Sequence, residues 1–292
     1  MKKINEILKP KKITITGKSK ILCTENGKCV IKEKNKDVKS LYDYLNTRQF
    51  NNYPEIIDEI NNKYVYEYLD SVNIPNNQKS ADMADLLALL HNKTAYFKPI
   101  TTDYIKNIYE EIQNNIRFIE EYYAEHFEKI ASEVIMSPSN YLLIRNSSKL
   151  LANFKYIKDE LDNWYKLMTD KTKERVVYCH NNLTIDHYIK NKNEYLISWD
   201  NYSIDTPVLD LINLYSNDYN KYEFSNFLEN YNQKFPLSNE ELKLFFIMIS
   251  LPKEANCSIY EFDNTRKVNE ILTYLYKTEK LIKPYYSPQN IK

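Results

Sequence analysis

Glycine is nearly absent: the 292 residues contain two, Gly17 and Gly27. So little glycine excludes a glycine-rich loop that brings a row of backbone amides against phosphates, and Gly17-Lys18-Ser19 leaves little room for one. The same tripeptide imitates the end of a Walker A loop, but the earlier glycine of that motif is Lys12 here, which excludes the match. Cysteine is scarce as well. Cys23, Cys29, Cys179 and Cys257, scattered among four histidines, give no zinc signature and read as reduced thiols. No run approaches eighteen apolar residues, which excludes a membrane-spanning helix. Met1-Lys2-Lys3 has the charge of a signal peptide, but Asn5, Glu6 and Pro10 interrupt any apolar stretch. Net charge is zero, forty basic residues against forty acidic, so neither nucleic acid nor a membrane surface is indicated as partner. The expected location is the cytoplasm.

What is present is a globular composition, 43% hydrophobic and 14% aromatic, in a chain long enough for a good core and two domains. An excess of Asn, Lys, Ile and Tyr reads as coding bias. Lys12–Thr16, Lys20–Thr24 and Cys29–Lys34 have strand patterns, and Asn26-Gly27 is a hairpin signal. A two-residue turn there predicts that Ile21 faces Lys32. Asp37–Leu45 predicts a helix, broken at Tyr53-Pro54, and Lys63–Leu69 a further strand. From Ser80 the period changes to that of a helix. Ser80 is the expected cap of a helix buried through Met83, Leu86, Leu87 and Leu90. Thr102-Asp103 starts another, striped by Ile105, Ile108, Ile112, Ile116 and Ile119; Lys149–Met168 is a third. Ser238-Asn239-Glu240-Glu241 is a capping box and Asn264–Ile282 a last helix. The order predicts an α+β architecture: a small antiparallel β-rich lobe over residues 1–71, with one helix, and a larger, mainly helical lobe over 72–292.

The segment 176–215 interrupts the helices. Val176–Cys179 and Tyr195–Trp199 read as strands joined by a polar loop holding His180, Asn182, Asp186 and His187, where sites are usually built. Then follow Asp200, Asp205-Thr206-Pro207 and Asp210 at the start of an apolar helix. His180-Asn181-Asn182-Leu183-Thr184-Ile185-Asp186-His187, Leu196-Ile197-Ser198-Trp199-Asp200 and Asp205-Thr206-Pro207-Val208-Leu209-Asp210-Leu211 resemble, in order and spacing, the aminoglycoside phosphotransferase and choline kinase group. Within it, the tract from Leu196 to Leu211 is most similar to the spore-coat kinase-like proteins of Firmicutes. The resemblance implies a bilobal protein-kinase-like fold.

The resemblance also implies roles, and the chemistry departs from them. Phosphoryl transfer needs a carboxylate at the acceptor and oxygen ligands for Mg²⁺. At the family's catalytic Asp stands Asn182, which cannot accept a proton. At its metal-binding Asn stands His187, a poor Mg²⁺ ligand, and at its metal-binding Asp stands Ser198. Asp200, two residues along on the same side of an extended strand, and Asp186 are the candidates for displaced carboxylates. No metal site is assigned, Asp200 being the one candidate. Lys32 stands at the phosphate-binding lysine; read alone it is a solvated edge-strand lysine, and Asp37 or Asp43 replaces its usual glutamate partner. His180, Asp205 and Asp210 take structural roles, the two aspartates as caps near Pro207. His91 reads as a packing or hydrogen-bonding residue at a helix end, and His126 as solvated. Cys179 and His180, adjacent on a strand, point to opposite faces and form no thiol–imidazole pair. Tyr122-Tyr123 and Tyr285-Tyr286 read as amphipathic packing residues.

The functional expectation is a catalytically impaired kinase-like protein that binds a small molecule or protein, with a spore-coat association implied by the resemblance. The rival is an active small-molecule phosphotransferase using ATP and Mg²⁺ through Asp186 and Asp200. A third reading is a scaffold with no nucleotide.

Overall fold

The structure is a computed structural model that describes residues 10–17, 19–25, 27–255 and 258–286. Lys18 of the glycine-bearing turn, Asn26 of the hairpin signal, Cys257 and the charged start at Met1-Lys2-Lys3 lie outside them. The chain opens with β1 (Lys12–Thr16), β2 (Ser19–Thr24) and β3 (Gly27–Glu33), then α1 (Val38–Thr47), β4 (Ile56–Glu59) and β5 (Lys63–Glu67). Next come α2 (Asn76–Thr94), β6 (Tyr96–Pro99), α3 (Thr102–Ala131), α4 (Pro138–Arg145) and α5 (Ser147–Thr169). The segment of interest contributes β7 (Lys173–Cys179), β8 (Tyr188–Lys190), β9 (Glu194–Leu196) and β10 (Ser203–Asp205). It is followed by α6 (Val208–Asp218), α7 (Phe224–Lys234), α8 (Asn239–Ser250) and α9 (Glu261–Ile282). The architecture is mixed, an antiparallel N-terminal sheet followed by a larger helical part.

Two compact units are interleaved along the chain. The first comprises residues 1–95, 177–205 and 226–235, the second 96–176, 206–225 and 236–292.

In the first unit, among the described residues, five strands form a sheet of order β1-β2-β3-β5-β4. One face buries Leu22, Cys29, Ile31 and Val65, as strand alternation demands, and Ile60 of the β4–β5 connection joins the same cluster. The β2–β3 turn closes between Thr24 and Gly27, so Ile21 pairs with Val30 rather than Lys32. Lys32 instead pairs with Tyr64 of β5, and β3 is a central strand, not an edge. Gly27, at φ 123°, takes a backbone conformation that a Cβ disfavours. Asp37 caps α1 by accepting from the Ser40 amide at 3.3 Å. Helix α2 begins earlier than expected, with Pro75 at its N-cap, and Ser80 lies inside it with its hydroxyl on the Asn77 carbonyl at 2.9 Å. The expected apolar residues Met83, Leu86, Leu87 and Leu90 are all buried, each such leucine stabilising by about 1.5–3 kcal/mol. Val177–Cys179 of β7 pairs antiparallel with β10.

In the second unit, α3, α5, α8 and α9 bury a core that includes Ile105, Ile116, Ile119, Phe154, Trp164, Ile247 and Val268. Ile108 and Ile112 pack against it, half-buried, so the predicted stripe on α3 is the buried one. The Ser238 capping box is present: its hydroxyl accepts from the Glu241 amide at 3.3 Å, and Glu241 accepts from the Ser238 amide at 2.8 Å. Lys173–Val176 pairs with β6. Among the described residues, no helix is long and apolar enough to cross a membrane.

Candidate functional site

The polar loop after β7 and the turn after β9 hold each other by hydrogen bonds. His180 donates through Nε2 to the Ile197 carbonyl at 2.8 Å. The Ile197 amide returns to the His187 carbonyl at 2.9 Å. Asn182 donates its side-chain amide to the Ser198 carbonyl at 3.3 Å, and His187 donates through Nδ1 to the Asn182 carbonyl at 2.5 Å. Trp199, buried, lies 4.6 Å ring to ring from His180 and donates to the Leu196 carbonyl at 2.7 Å. Several residues expected in one loop and one strand are therefore joined into one frame.

The strand expected at Tyr195–Trp199 stops at Leu196. Ser198 takes the left-handed conformation (φ 71°, ψ 50°), and Trp199–Asn201 is a 3₁₀ turn. The extended geometry that would set Ser198 and Asp200 on one side of a strand is thus corrected. The turn brings the pair together by another route: Lys32 Nζ donates to Ser198 Oγ at 2.9 Å and to Asp200 Oδ2 at 3.1 Å. The Lys32 side chain is 13% exposed and that of Asp200 28%, so the ion pair is shielded but open to solvent on one side. The lysine's carboxylate partner is Asp200, neither Asp37 nor Asp43. Asp37 is occupied at the α1 cap.

His187, half-buried, titrates below the usual histidine range. Burial is the main cause and the charge of Lys32 adds to it, while the Asn182 carbonyl, Asp186 and Asp200 oppose. Asp186 is exposed in the 3₁₀ turn Ile185–His187. Tyr66 and Tyr42, both buried, have phenols pushed above the usual range, first by burial and partly by the charge of Asp200. Sequence reading did not single out these tyrosines; Tyr66 alone had a signal, its place in the alternation of Lys63–Leu69. It also missed Lys36, which donates to the Tyr202 carbonyl and lies 4.3 Å from that ring's centre. Tyr202 in turn donates to the Asp37 carbonyl at 3.1 Å.

The remaining candidates lie outside this cluster. Asp205 ends β10 and its carbonyl accepts from Cys179 Sγ at 3.7 Å. Asp210 is buried in the first turn of α6, whose N-cap is Pro207, so neither Asp205 nor Asp210 holds the N-cap position expected of them. His91 is buried, its Nδ1 2.6 Å from the Tyr231 hydroxyl, with Phe235 also against its ring. His126 is half-buried and stacked on Tyr122 rather than solvated. Tyr123 is buried; Tyr286 donates to Glu160 at 2.7 Å.

The charged donors of this cluster are one ammonium, Lys32, and one carboxylate, Asp200, 3.1 Å apart; by type the first could meet a phosphate oxygen and the second a divalent cation. Mg²⁺ commonly takes only one or two carboxylates, completing its shell with water and phosphate oxygens. Gly17 follows β1 at φ 56° and is the sole glycine of its turn.

These elements define a protein-kinase-like fold, and solved structures carry it. An aminoglycoside phosphotransferase from Alicyclobacillus acidocaldarius superposes with a TM-score of 0.64 at 11% identity, covering 94% of this chain and 92% of that one. A spectinomycin phosphotransferase bound to AMP gives 0.52 at 12% identity, covering 99% and 96%. A choline kinase from Streptococcus pneumoniae gives 0.50 at 15%, covering 97% of each chain. Identities this low establish a shared fold and nothing narrower. No protein-family profile matches the chain, and no curated protein sequence matches it.

Proposed function

We propose that this chain is a kinase-like protein that binds a nucleotide or other phosphorylated small molecule at Lys32 and Asp200 and has lost ordinary phosphotransfer. The observation that carries the reading is Asn182. Its side chain is an amide, unable to take a proton from an acceptor hydroxyl, and its nitrogen is engaged by the Ser198 carbonyl. In this reading Lys32 binds and orients phosphate oxygens and Asp200 holds a divalent cation. When bound, that cation would neutralise phosphate charge. The solved neighbour described as an AMP complex makes adenine nucleotides the first ligands to try.

A second reading is favoured by the Lys32–Asp200 contact itself: an active small-molecule phosphotransferase in which Asp200 replaces the carboxylate absent at Ser198. Thermal shift with AMP, ADP and ATP, with and without Mg²⁺, combined with transfer assays on choline and aminoglycosides, separates the two. The proposal expects a rise in melting temperature that Lys32→Met removes, no transfer by the wild type, and detectable transfer after Asn182→Asp. Transfer by the wild type that Asp200→Ala abolishes establishes the second reading instead. No response to any nucleotide sinks both and leaves a scaffold. The resemblance of 196–211 extends the proposal to a spore-coat association, checked by locating a fluorescent fusion in sporulating cells.

A further inference from the structure

We propose that the second unit carries a self-association surface, two apolar loop tips on which a second copy of this chain docks about a two-fold axis. Val134, Ile135 and Met136 follow α3, and Ile259, Tyr260 and Phe262 lead into α9. Five of the six are between 72% and 100% exposed, and Met136 is 38% exposed. Each tip is closed at its base. The Asn140 side-chain amide lies 3.0 Å from both Glu133 carboxylate oxygens and donates to them. Asn264 accepts from the Ser258 amide at 2.5 Å and donates to the Ser258 carbonyl at 3.0 Å. The two bases are joined, because the Ser139 amide donates to Glu261 at 2.6 Å. The tips therefore stand side by side at the N-terminal ends of α4 and α9. Burial of such side chains stabilises by about 1.5–3 kcal/mol each, yet here hydrogen bonds hold them out in water. Parts fixed beforehand lose little entropy on docking.

Size and charge select the occupant. At these exposures the six residues present on the order of 800 Å², one partner's share of a standard protein interface. The largest apolar patch of an ordinary monomer is about 300–600 Å². Two copies related by a two-fold axis cover the same patch on each other and close the assembly. A small molecule needs a concavity, whereas Val134 and Ile259 stand clear of the surface. Branched aliphatics, Met and aromatics without Lys or Glu are the composition of a homodimer core. An anionic bilayer recruits Lys and Arg instead. The charges within and beside the tips are mainly acidic, Glu128, Glu133, Glu261 and Asp263 against Lys129 and Arg266. Three of these acids are already engaged within the chain, by Asn140, Ser139 and Arg266, which tempers their repulsion of a second copy. The surface is separate from Lys32 and Asp200, which belong to the other unit.

Sedimentation velocity on the full chain, with I135D and F262D as variants, tests the inference. Both side chains are exposed, so the variants should keep the melting temperature of the wild-type monomer. The wild type should be a dimer at about 10 µM, since interfaces of this size hold at micromolar or tighter. Each variant should weaken association at least about ten-fold, because charge is depleted from interface cores. I15D, on the exposed strand β1, should leave the dimer unchanged. A wild type still monomeric at about 100 µM, a dimer that survives both I135D and F262D, or one that I15D dissolves each overturns the proposal. So does a monomer that floats with phosphatidylcholine or phosphatidylserine vesicles, which assigns the tips to a bilayer. If the aspartate variants do not fold, Val134→Ser combined with Ile259→Ser takes their place, with the same loss expected and an undiminished dimer again fatal.

Discussion

The ammonium of Lys32 lies 3.1 Å from a carboxylate oxygen of Asp200 and 2.9 Å from the hydroxyl of Ser198, across 168 and 166 residues of chain. Two partners held at such separation tie β3 to the turn after β9. Asp200→Ala leaves the largely shielded Lys32 without its countercharge. The expected loss is about 1.5–3 kcal/mol, the range for a hydrogen bond to a charged group. Lys32→Met with Asp200→Ala should cost less than the sum of the single changes, because both remove one interaction. Urea denaturation of the four proteins gives the coupling directly; a coupling of zero refutes the ion pair.

Glu160 offers a pH test. It is buried on α5, and burial raises its pKa, but the bonds from Lys243 and Tyr286 outweigh this and hold the carboxyl below its usual value. A carboxylate depressed by folding contributes stability that is complete above the unfolded value, 4.5, and is lost as pH falls through the lower folded value. Glu160→Gln should therefore lower stability at neutral pH by about 2 kcal/mol and flatten the acid limb below pH 4.5. Parallel acid limbs in the two proteins would refute it.

Tyr231→Phe isolates a buried hydrogen bond. The hydroxyl lies 2.6 Å from His91 Nδ1 with the imidazole fully buried, and its removal takes this hydrogen bond from the ring. A loss of about 1–2 kcal/mol is expected, read from the denaturation midpoint, with the far-ultraviolet spectrum unchanged.

The two glycines should respond unequally to alanine. At neither does a Cβ meet anything within 4 Å, so backbone conformation alone decides. Gly17, at φ 56°, has a left-handed backbone that alanine enters for about 1–2 kcal/mol. Gly27, at φ 123°, lies where glycine is nearly alone, and Gly27→Ala should cost about 1–3 kcal/mol, the larger of the two. Equal melting temperatures would contradict the ordering.

The sheet and the long helices were legible because alternation and helical period are written in single segments. β1 was read to the residue, and Ile105, Ile116 and Ile119 are the buried stripe. Misreadings arose where local signals compete or where contacts are long-range. Asn26-Gly27 named the hairpin but not which pair closes it, and the register changed with that choice. Ser80 has a capping side chain, yet the chain was already helical before it. The short strands β8 and β10 carry too few residues for a period. Ser137-Pro138, a cap residue followed by proline at the first helical position, is the local start signal of α4. At the site, the sequence named Lys32, Ser198 and Asp200 one by one; their meeting depends on a left-handed residue that no side-chain pattern announces.

That residue sets what this position can become. Glycine aside, Asp and Asn are among the residues that best tolerate the left-handed conformation of Ser198, whereas β-branched residues resist it. The backbone is therefore hospitable to a carboxylate beside Lys32 and hostile to an apolar filling by valine or isoleucine. An aspartate at position 198 should therefore enter the turn without refolding it, whereas valine or isoleucine there should strain it.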